Sequence, residues 1–329
     1  MADDMGRGGG PLARVVVSVP MSVAQVERLR RRFPETEWIL VEGEPTAEVL
    51  AGADGWVSWN LTVETLRAAP KLRWLQTGGA GIEGLPLAEL AARGVIVSNA
   101  RGVHAPNIAE HVLAMMLAFA RRLPTLVLAQ KERRWRDEVT HREVFELNGQ
   151  TLLLVGLGEI ATAIVPRAGA LGMRVEAVRR RPERPVPPGV AAIASLTELP
   201  GALGRADHVV LTVPATPSSR ALIGAAELAA MRPGAYLYNV GRGSVVDTGA
   251  LVSALASGHL GGAGLDVVDP EPLPQDSPLW SMEQVLITAH TAGATPRYWD
   301  RGVALIERNY AGLLAGEPLP TQVDLDAGY

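Results

Sequence analysis

The chain has 329 residues, 47% of them hydrophobic, and a formal net charge of −4. That length suits two domains or one large α/β domain with a sizeable core, and the lack of a basic excess argues against nucleic-acid binding driven by phosphate neutralisation. Cysteine is absent, which excludes disulfides, thiol catalysis and Cys-ligated zinc, predicts no metal site and is compatible with a reducing cytoplasm.

Met1 to Pro11 is Gly-rich and polar and reads as a loose tail. Apolar runs at Arg14–Val19, Trp38–Val41, Gly55–Ser58, Leu72–Gln76 and Val95–Ser98 predict strands, with helices between them at Ser22–Arg32, Thr62–Ala68 and Leu87–Arg93. Strands alternating with helices imply a parallel sheet covered on both faces. Ile108–Leu123 is a helix that is apolar nearly all round, so it is expected to be buried between domains or between subunits. The charged segment 125–147 holds Trp135 within Lys131–Arg136 and reads as a solvated helix with one anchoring Trp. The longest apolar stretch, Val112–Ala120, falls far short of the ~20 residues a membrane span needs, so no membrane association is expected.

A second α/β series begins at Gln150. Its strands are expected at Thr151–Val155, Arg174–Val178, His208–Val213, Ala235–Val240, Gly262–Val267 and Val285–Thr288, and a last amphipathic helix at Arg301–Leu314. Pro182, Pro185, Pro187 and Pro188 bar residues 182–189 from a helix interior.

The strand Thr151–Val155 runs into Gly156-Leu157-Gly158-Glu159-Ile160-Ala161. This G-x-G-x-x-A pattern supplies a tight turn, a close backbone approach for a pyrophosphate and a small residue where helix meets strand. Some 20 residues after such a turn an acidic residue holds the ribose 2′-hydroxyl of NAD. Here that place reads Arg179-Arg180-Arg181. Charge runs are ordinarily solvated, but at a strand's C-terminal end a guanidinium can grip a 2′-phosphate, so NADP(H) is favoured and NAD(H) stays open.

Three further strand ends carry chemistry. Arg242 stands between Gly241 and Gly243, suited to a substrate carboxylate in the crevice beyond the strand ends. Asp266 and Glu271 follow the next strand, and His290 the one after. A carboxylate beside an imidazole stabilises the imidazolium, which suits a proton donor near neutral pH. His104, His111, His141, His208 and His259 lack such neighbours and read as satisfied or solvated side chains.

With these blocks in order, the chain resembles the NAD(P)-dependent D-isomer-specific 2-hydroxyacid dehydrogenases, which include glyoxylate/hydroxypyruvate reductases. Gly79–Glu83 resembles that family's substrate-binding glycine loop, Asn107–His111 the start of its long helix and Val213-Pro214-Ala215-Thr216-Pro217 its cofactor-side loop. Asn239–Asp247, Gly264–Pro272 and His290–Thr295 resemble its three signature blocks.

The resemblance implies a fold of two Rossmann-like parallel-sheet domains. A flavodoxin-like substrate domain, residues 1–100 with 296–329, would be discontinuous around an inserted dinucleotide-binding domain, residues 101–295. It implies His290 as acid/base, Glu271 as its partner, and Arg242 as anchor of the substrate carboxylate and carbonyl. Backbone N–H groups of Ala80 and Gly81 would hold the other side of the carboxylate. Gly156, Gly158, Glu159, Ile160, Arg179, Arg180, Val213, Pro214, Thr216, Val240, Gly241, Asp266, His290 and Ala292 would line the cofactor, with Asp266 near the nicotinamide carboxamide. It further implies a homodimer built on the long helix, and reversible reduction of a small 2-oxo acid such as glyoxylate or hydroxypyruvate. Ala161 in place of a third glycine is tolerable, while Arg179 in place of an acidic residue puts NAD preference in doubt. A formate- or phosphite-type dehydrogenase is disfavoured, because the formate enzymes pair their His with Gln where Glu271 stands. A dinucleotide-sensing corepressor is disfavoured by the intact Arg242, Glu271 and His290.

Overall fold

The computed structural model describes residues 11–82, 84–135 and 144–325. The expected N-terminal tail, Glu83, Arg136 and His141 lie outside the described residues, apart from Pro11. The chain divides into two compact units, Met1–Val103 with Thr295–Tyr329, and His104–Ala294.

In the first unit β1 (Arg14–Val17), α1 (Val23–Arg32), β2 (Glu37–Leu40), α2 (Ala47–Ala51), β3 (Gly55–Ser58), α3 (Val63–Ala68), β4 (Trp74–Thr77), α4 (Leu87–Ala92) and β5 (Ile96–Ser98) follow one another. All sheet pairs are parallel, in the order β2-β1-β3-β4-β5. This is the flavodoxin-like arrangement. Alternation sends Val15 and Val17 to one face and Val16 to the other, each into its own apolar cluster. Ser22 and Thr62, the expected first residues of two helices, act instead as N-caps through capping boxes. The five residues of α2 are too few to show a helical period.

The second unit runs α5 (Ala105–Ala120), α6 (Leu123–Lys131), β6 (Thr151–Val155), α7 (Glu159–Ala170), β7 (Arg174–Val178), β8 (Val190–Ala194), α8 (Leu199–Leu203), β9 (His208–Leu211), α9 (Ala225–Ala230), β10 (Tyr236–Asn239), α10 (Thr248–Ala256), β11 (Gly262–Leu265) and β12 (Val285–Ile287). Its seven parallel strands are ordered β12-β11-β10-β9-β6-β7-β8, the Rossmann order with one strand added. Leu152 and Leu154 of β6 face the cluster that holds α5 and α7, whereas Leu153 and Val155 face the one under α8, α9 and α10. The edge strand β8 was not expected from its Val-Ala-Ala-Ile-Ala sequence, which lacks the aromatic and β-branched alternation of a strand.

The long helix ends earlier than its apolar pattern suggests. Arg122 takes a left-handed φ of 53°, Pro124 stands at the start of α6, and the two helices meet at a 69° bend. Trp135, expected as an anchor, is 92% exposed. Among the described residues no single helix is long and apolar enough to cross a membrane.

The chain's last helix, α11 (Tyr298–Ala315), returns to the first unit. There Tyr310 Oη accepts from Leu12 N at 3.0 Å and lies 2.5 Å from Thr36 Oγ1, and its ring meets Phe33, Trp38 and Trp74. Asn309, fully buried, donates to Gln76 Oε1 and Thr321 Oγ1. These polar bonds fix the C-terminal segment to a sheet that was built more than 200 residues earlier.

Candidate active site

The strand order of the second unit reverses between β6 and β9, and the glycine turn stands at the end of β6. Gly156 has φ +94°, and a Cβ there would lie 2.9 Å from Val213 Cγ1 and 3.0 Å from Thr212 Oγ1. Only glycine fits, for both reasons. Gly158 is the N-cap of α7 yet has no side chain to satisfy the first N–H groups, and a Cβ at Gly158 would meet nothing within 4 Å. The turn thus leaves open space before the uncapped N-terminus of a twelve-residue helix. That combination suits a dinucleotide pyrophosphate. Glu159 and Ile160 open the helix, and Ala161 is fully buried against the sheet. After β9, Ser219 Oγ donates to Pro214 O at 2.6 Å and accepts from Thr216 N at 2.8 Å, closing the Val213–Thr216 loop on itself.

At the end of β7, Arg179 is occupied by its own chain. Its Nη1 donates to Pro185 O, and its Nη2 to Pro182 O and Arg184 O. Arg179 therefore secures the proline-rich segment, and Arg180 beside it is exposed.

Strands β10, β11 and β12 end in register, with Asn239 opposite Leu265 and Leu265 opposite Ile287. Arg242, Asp266 and His290 follow these ends. Asn239 shapes the first turn by donating to Arg242 O at 2.9 Å and accepting from Gly241 N at 3.1 Å. Gly243 presses against the segment leading to Glu271, since a Cβ on it would stand 1.8 Å from Val268 O. His290 Nδ1 lies 3.0 Å from Glu271 Oε2, and Glu271 Oε1 accepts from Val268 N at 3.1 Å. The carboxylate accepts a hydrogen bond from Nδ1–H and leaves Nε2 as the nitrogen able to exchange a proton outward. Both side chains are partly exposed.

Ala289 and His290 have φ of +46° and +58°, which non-glycine residues rarely adopt. Asp266 holds this turn. Its buried carboxylate accepts from Thr288 Oγ1 at 2.7 Å, Thr291 N at 2.9 Å and Ala292 N at 3.0 Å, and its backbone O accepts from His290 N at 2.6 Å.

Three residues at the start of α5 support this turn in a way the sequence does not show. His111 Nε2 is 2.9 Å from Thr288 Oγ1, Asn107 Nδ2 donates to Ala292 O at 2.6 Å, and His104 Nδ1 is 2.8 Å from Gly293 O. Because Thr288 donates to Asp266, His111 must donate to Thr288, which sets its tautomer. His104, Asn107 and His111 recur at i, i+3 and i+7 along an otherwise apolar helix, and that polar stripe was the available signal. His208 and His259 are satisfied side chains, bonded to Gln150 and Tyr238 and to Leu228 O respectively.

In the first unit, β4 runs into Gly78–Gly81. Thr77 Oγ1 and Ala100 N donate to Gly79 O, and Asn99 Nδ2 donates to Ala80 O. Among the described residues no acceptor meets the N–H groups of Gly79, Ala80 and Gly81. With its carbonyls tied back and consecutive N–H groups unbonded, the loop has the makings of an anion nest.

Residues 113–292 match the family described as D-isomer specific 2-hydroxyacid dehydrogenase, NAD binding domain. The chain belongs to that family. It is 33% identical over 305 residues to D-3-phosphoglycerate dehydrogenase of Mycobacterium tuberculosis, covering 92% of this chain and 54% of that protein. The chain thus spans about half the length of the phosphoglycerate dehydrogenases it matches. A glyoxylate reductase of Korarchaeum cryptofilum is 32% identical over 270 residues, 80% of each chain. A crystal structure of a D-isomer specific 2-hydroxyacid dehydrogenase from Xanthobacter autotrophicus, in complex with NADPH and MES, is 30% identical with a TM-score of 0.79, covering 97% of this chain and all of that one. The second unit of this dehydrogenase-family chain is accordingly a nicotinamide-dinucleotide-binding domain.

Proposed function

We propose that the protein reversibly reduces a 2-oxo acid to a D-2-hydroxy acid, with NADP(H) favoured over NAD(H). The observation that carries this reading is the 3.0 Å contact between His290 Nδ1 and Glu271, on strand ends of the same sheet as the Gly156–Ala161 turn. Bound reduced nicotinamide supplies the hydride taken by the carbonyl carbon. As the C=O π bond opens toward oxygen, protonated His290 gives that oxygen its Nε2 proton, while Glu271 holds the ring through Nδ1. Arg242 offsets negative charge on the reacting oxygen and binds the substrate carboxylate. We assign the first unit the role of substrate domain, through the N–H groups of Ala80 and Gly81. Gly156, Gly158 and the start of α7 carry the pyrophosphate, while Val213–Thr216, Val240, Gly241, Asp266 and Ala292 complete the cofactor's surroundings.

Cofactor preference rests on Arg180 just after β7, in the Arg179–Arg181 run that stands in place of an acidic residue. A homodimer on α5 and α6 is favoured by the exposed Leu117, Leu123, Val127 and Leu128. Oxidation of NADPH at 340 nm against a panel of 2-oxo acids tests the activity. His290→Ala should lower kcat by about 10²–10⁴-fold while NADPH still binds, and near-normal turnover by that variant would refute the assignment. Arg180→Ala should lower the NADPH-to-NADH ratio of kcat/KM by about tenfold or more, the worth of a charge-assisted hydrogen bond; an unchanged ratio would remove Arg180 from the cofactor site.

A further inference from the structure

Among the described aromatic residues of the first unit, Trp59 alone is more than a third exposed, at 41%. It follows β3, beside the point where the order β2-β1-β3 reverses and where open α/β sheets bind ligands. Its indole lies on the glycine loop. A Cβ on Gly78 would stand 2.7 Å from Trp59 Cδ2 and 2.8 Å from Cε3, and one on Gly79 would reach Cζ3 at 4.0 Å. The ring is also braced from behind. Tyr298 stacks on it with centroids 5.5 Å apart, Trp299 meets it edge-on at 5.6 Å, and these two form a T-shaped pair of their own at 4.8 Å. Tyr298 Oη donates to Gly78 O, and burial pushes its phenol up from the ordinary value, so it stays a donor. An indole held this rigidly beside a row of unbonded N–H groups is a preorganised apolar wall next to an anion site.

We propose that Trp59 is the side-chain wall of the substrate site and that the substrates are 2-oxo acids with an aromatic group on C3, of the arylpyruvate class. The proposal rests on the reading that Ala80 and Gly81 hold the substrate carboxylate. C3 is two bonds from the carboxylate carbon, so its substituent lies within reach of the indole edge that overhangs Gly79. An aryl ring there covers apolar surface and adds aromatic pairing. Glyoxylate has no C3, and hydroxypyruvate offers only a hydroxymethyl group.

The test is kcat/KM with NADPH for glyoxylate, hydroxypyruvate and phenylpyruvate, in the natural protein and in Trp59→Ala and Trp59→Phe. The natural protein should favour phenylpyruvate over glyoxylate by about tenfold or more, the range that apolar pocket contacts provide. Trp59→Ala should shrink that ratio by about tenfold, mainly through KM for phenylpyruvate, and Trp59→Phe should restore much of it. A natural preference for glyoxylate or hydroxypyruvate, or a loss in Trp59→Ala proportional across all three, would overturn the proposal. The natural order needs no variant, so a poorly folding Trp59→Ala does not protect the idea. Reduction of none of the three refutes the oxidoreductase reading itself, whereas reduction of glyoxylate without phenylpyruvate refutes only the role of Trp59.

Discussion

His208 makes the stability of the second unit depend on pH in a way that can be worked out in advance. It is fully buried in β9, with Nε2 2.5 Å from Gln150 Oε1 and Nδ1 3.1 Å from Tyr238 Oη, between the rings of Tyr236 and Tyr238. Burial disfavours the imidazolium and lowers the pKa to about 4, with Asp207 acting weakly in the opposite sense. In the unfolded chain the imidazole titrates near 6.5. The folded value is depressed, so the stabilisation is complete above about pH 6.5 and is lost as pH falls toward 4. From pH 7 to pH 5 the unfolded state gains protons over about 1.5 units that the folded state refuses, a loss of about 2 kcal/mol, rising to about 3 kcal/mol near pH 4. Carboxylates also titrate in this range, so the measurement is a difference. Native-state hydrogen exchange of the β9 amides, corrected for intrinsic rates, gives the opening free energy of this unit at pH 7 and pH 5. His208→Gln cannot titrate and should show a fall smaller by about 2 kcal/mol than the natural protein, whatever its absolute stability. Equal falls in the two proteins would refute the reasoning.

Two substitutions separate fold from function elsewhere. Gly158→Ala adds a methyl that meets no protein atom within 4 Å, so Tm should stay within about 2–4 °C, the shift that 1 kcal/mol produces in a domain of this size. The methyl fills the space before α7, so the KM for NADPH should rise about tenfold or more; an unchanged KM would remove the pyrophosphate from this turn. Glu271→Ala removes the acceptor of His290 Nδ1, and kcat should fall by more than tenfold but by no more than the ~10²–10⁴-fold expected for loss of the general acid. Tight NADPH binding should persist in that variant by fluorescence titration, and an unaltered kcat would show that His290 needs no partner.

Most of the strands were legible because their signals are local. The apolar run Thr151–Val155 carries its own glycine turn within one βα unit, although the atoms that bar a side chain at Gly156 belong to Thr212 and Val213, beyond β9. The strand-end places of Arg242, Glu271 and His290 were legible, since a parallel sheet brings such ends to one edge. What the sequence hid depends on contacts far along the chain. Nothing in the local sequence announces that Arg179 bonds the carbonyls of Pro182, Arg184 and Pro185. His111 reads as an ordinary helix residue because its partner, Thr288, is 177 residues away. The end of the long helix is hidden because apolar character continues through Leu123 while the backbone turns left-handed at Arg122.

The hidden contacts explain why the histidine-bearing turn keeps its geometry. Left-handed φ at Ala289 and His290 costs about 1–3 kcal/mol for each residue. Against this stand three hydrogen bonds to the Asp266 carboxylate, worth about 1.5–3 kcal/mol each. Neutral bonds from Asn107 to Ala292 O and between His104 and Gly293 O add about 0.5–1.5 kcal/mol apiece. The bonds outweigh the strain, and every one from α5 comes from the single polar stripe on that helix. A carboxylate that only needed to pair with a cation would not require three donors arranged around one turn. The arrangement is that of a clamp: α5 and Asp266 grip residues 288–293 from two sides, and the imidazole projects from the one conformation that both allow.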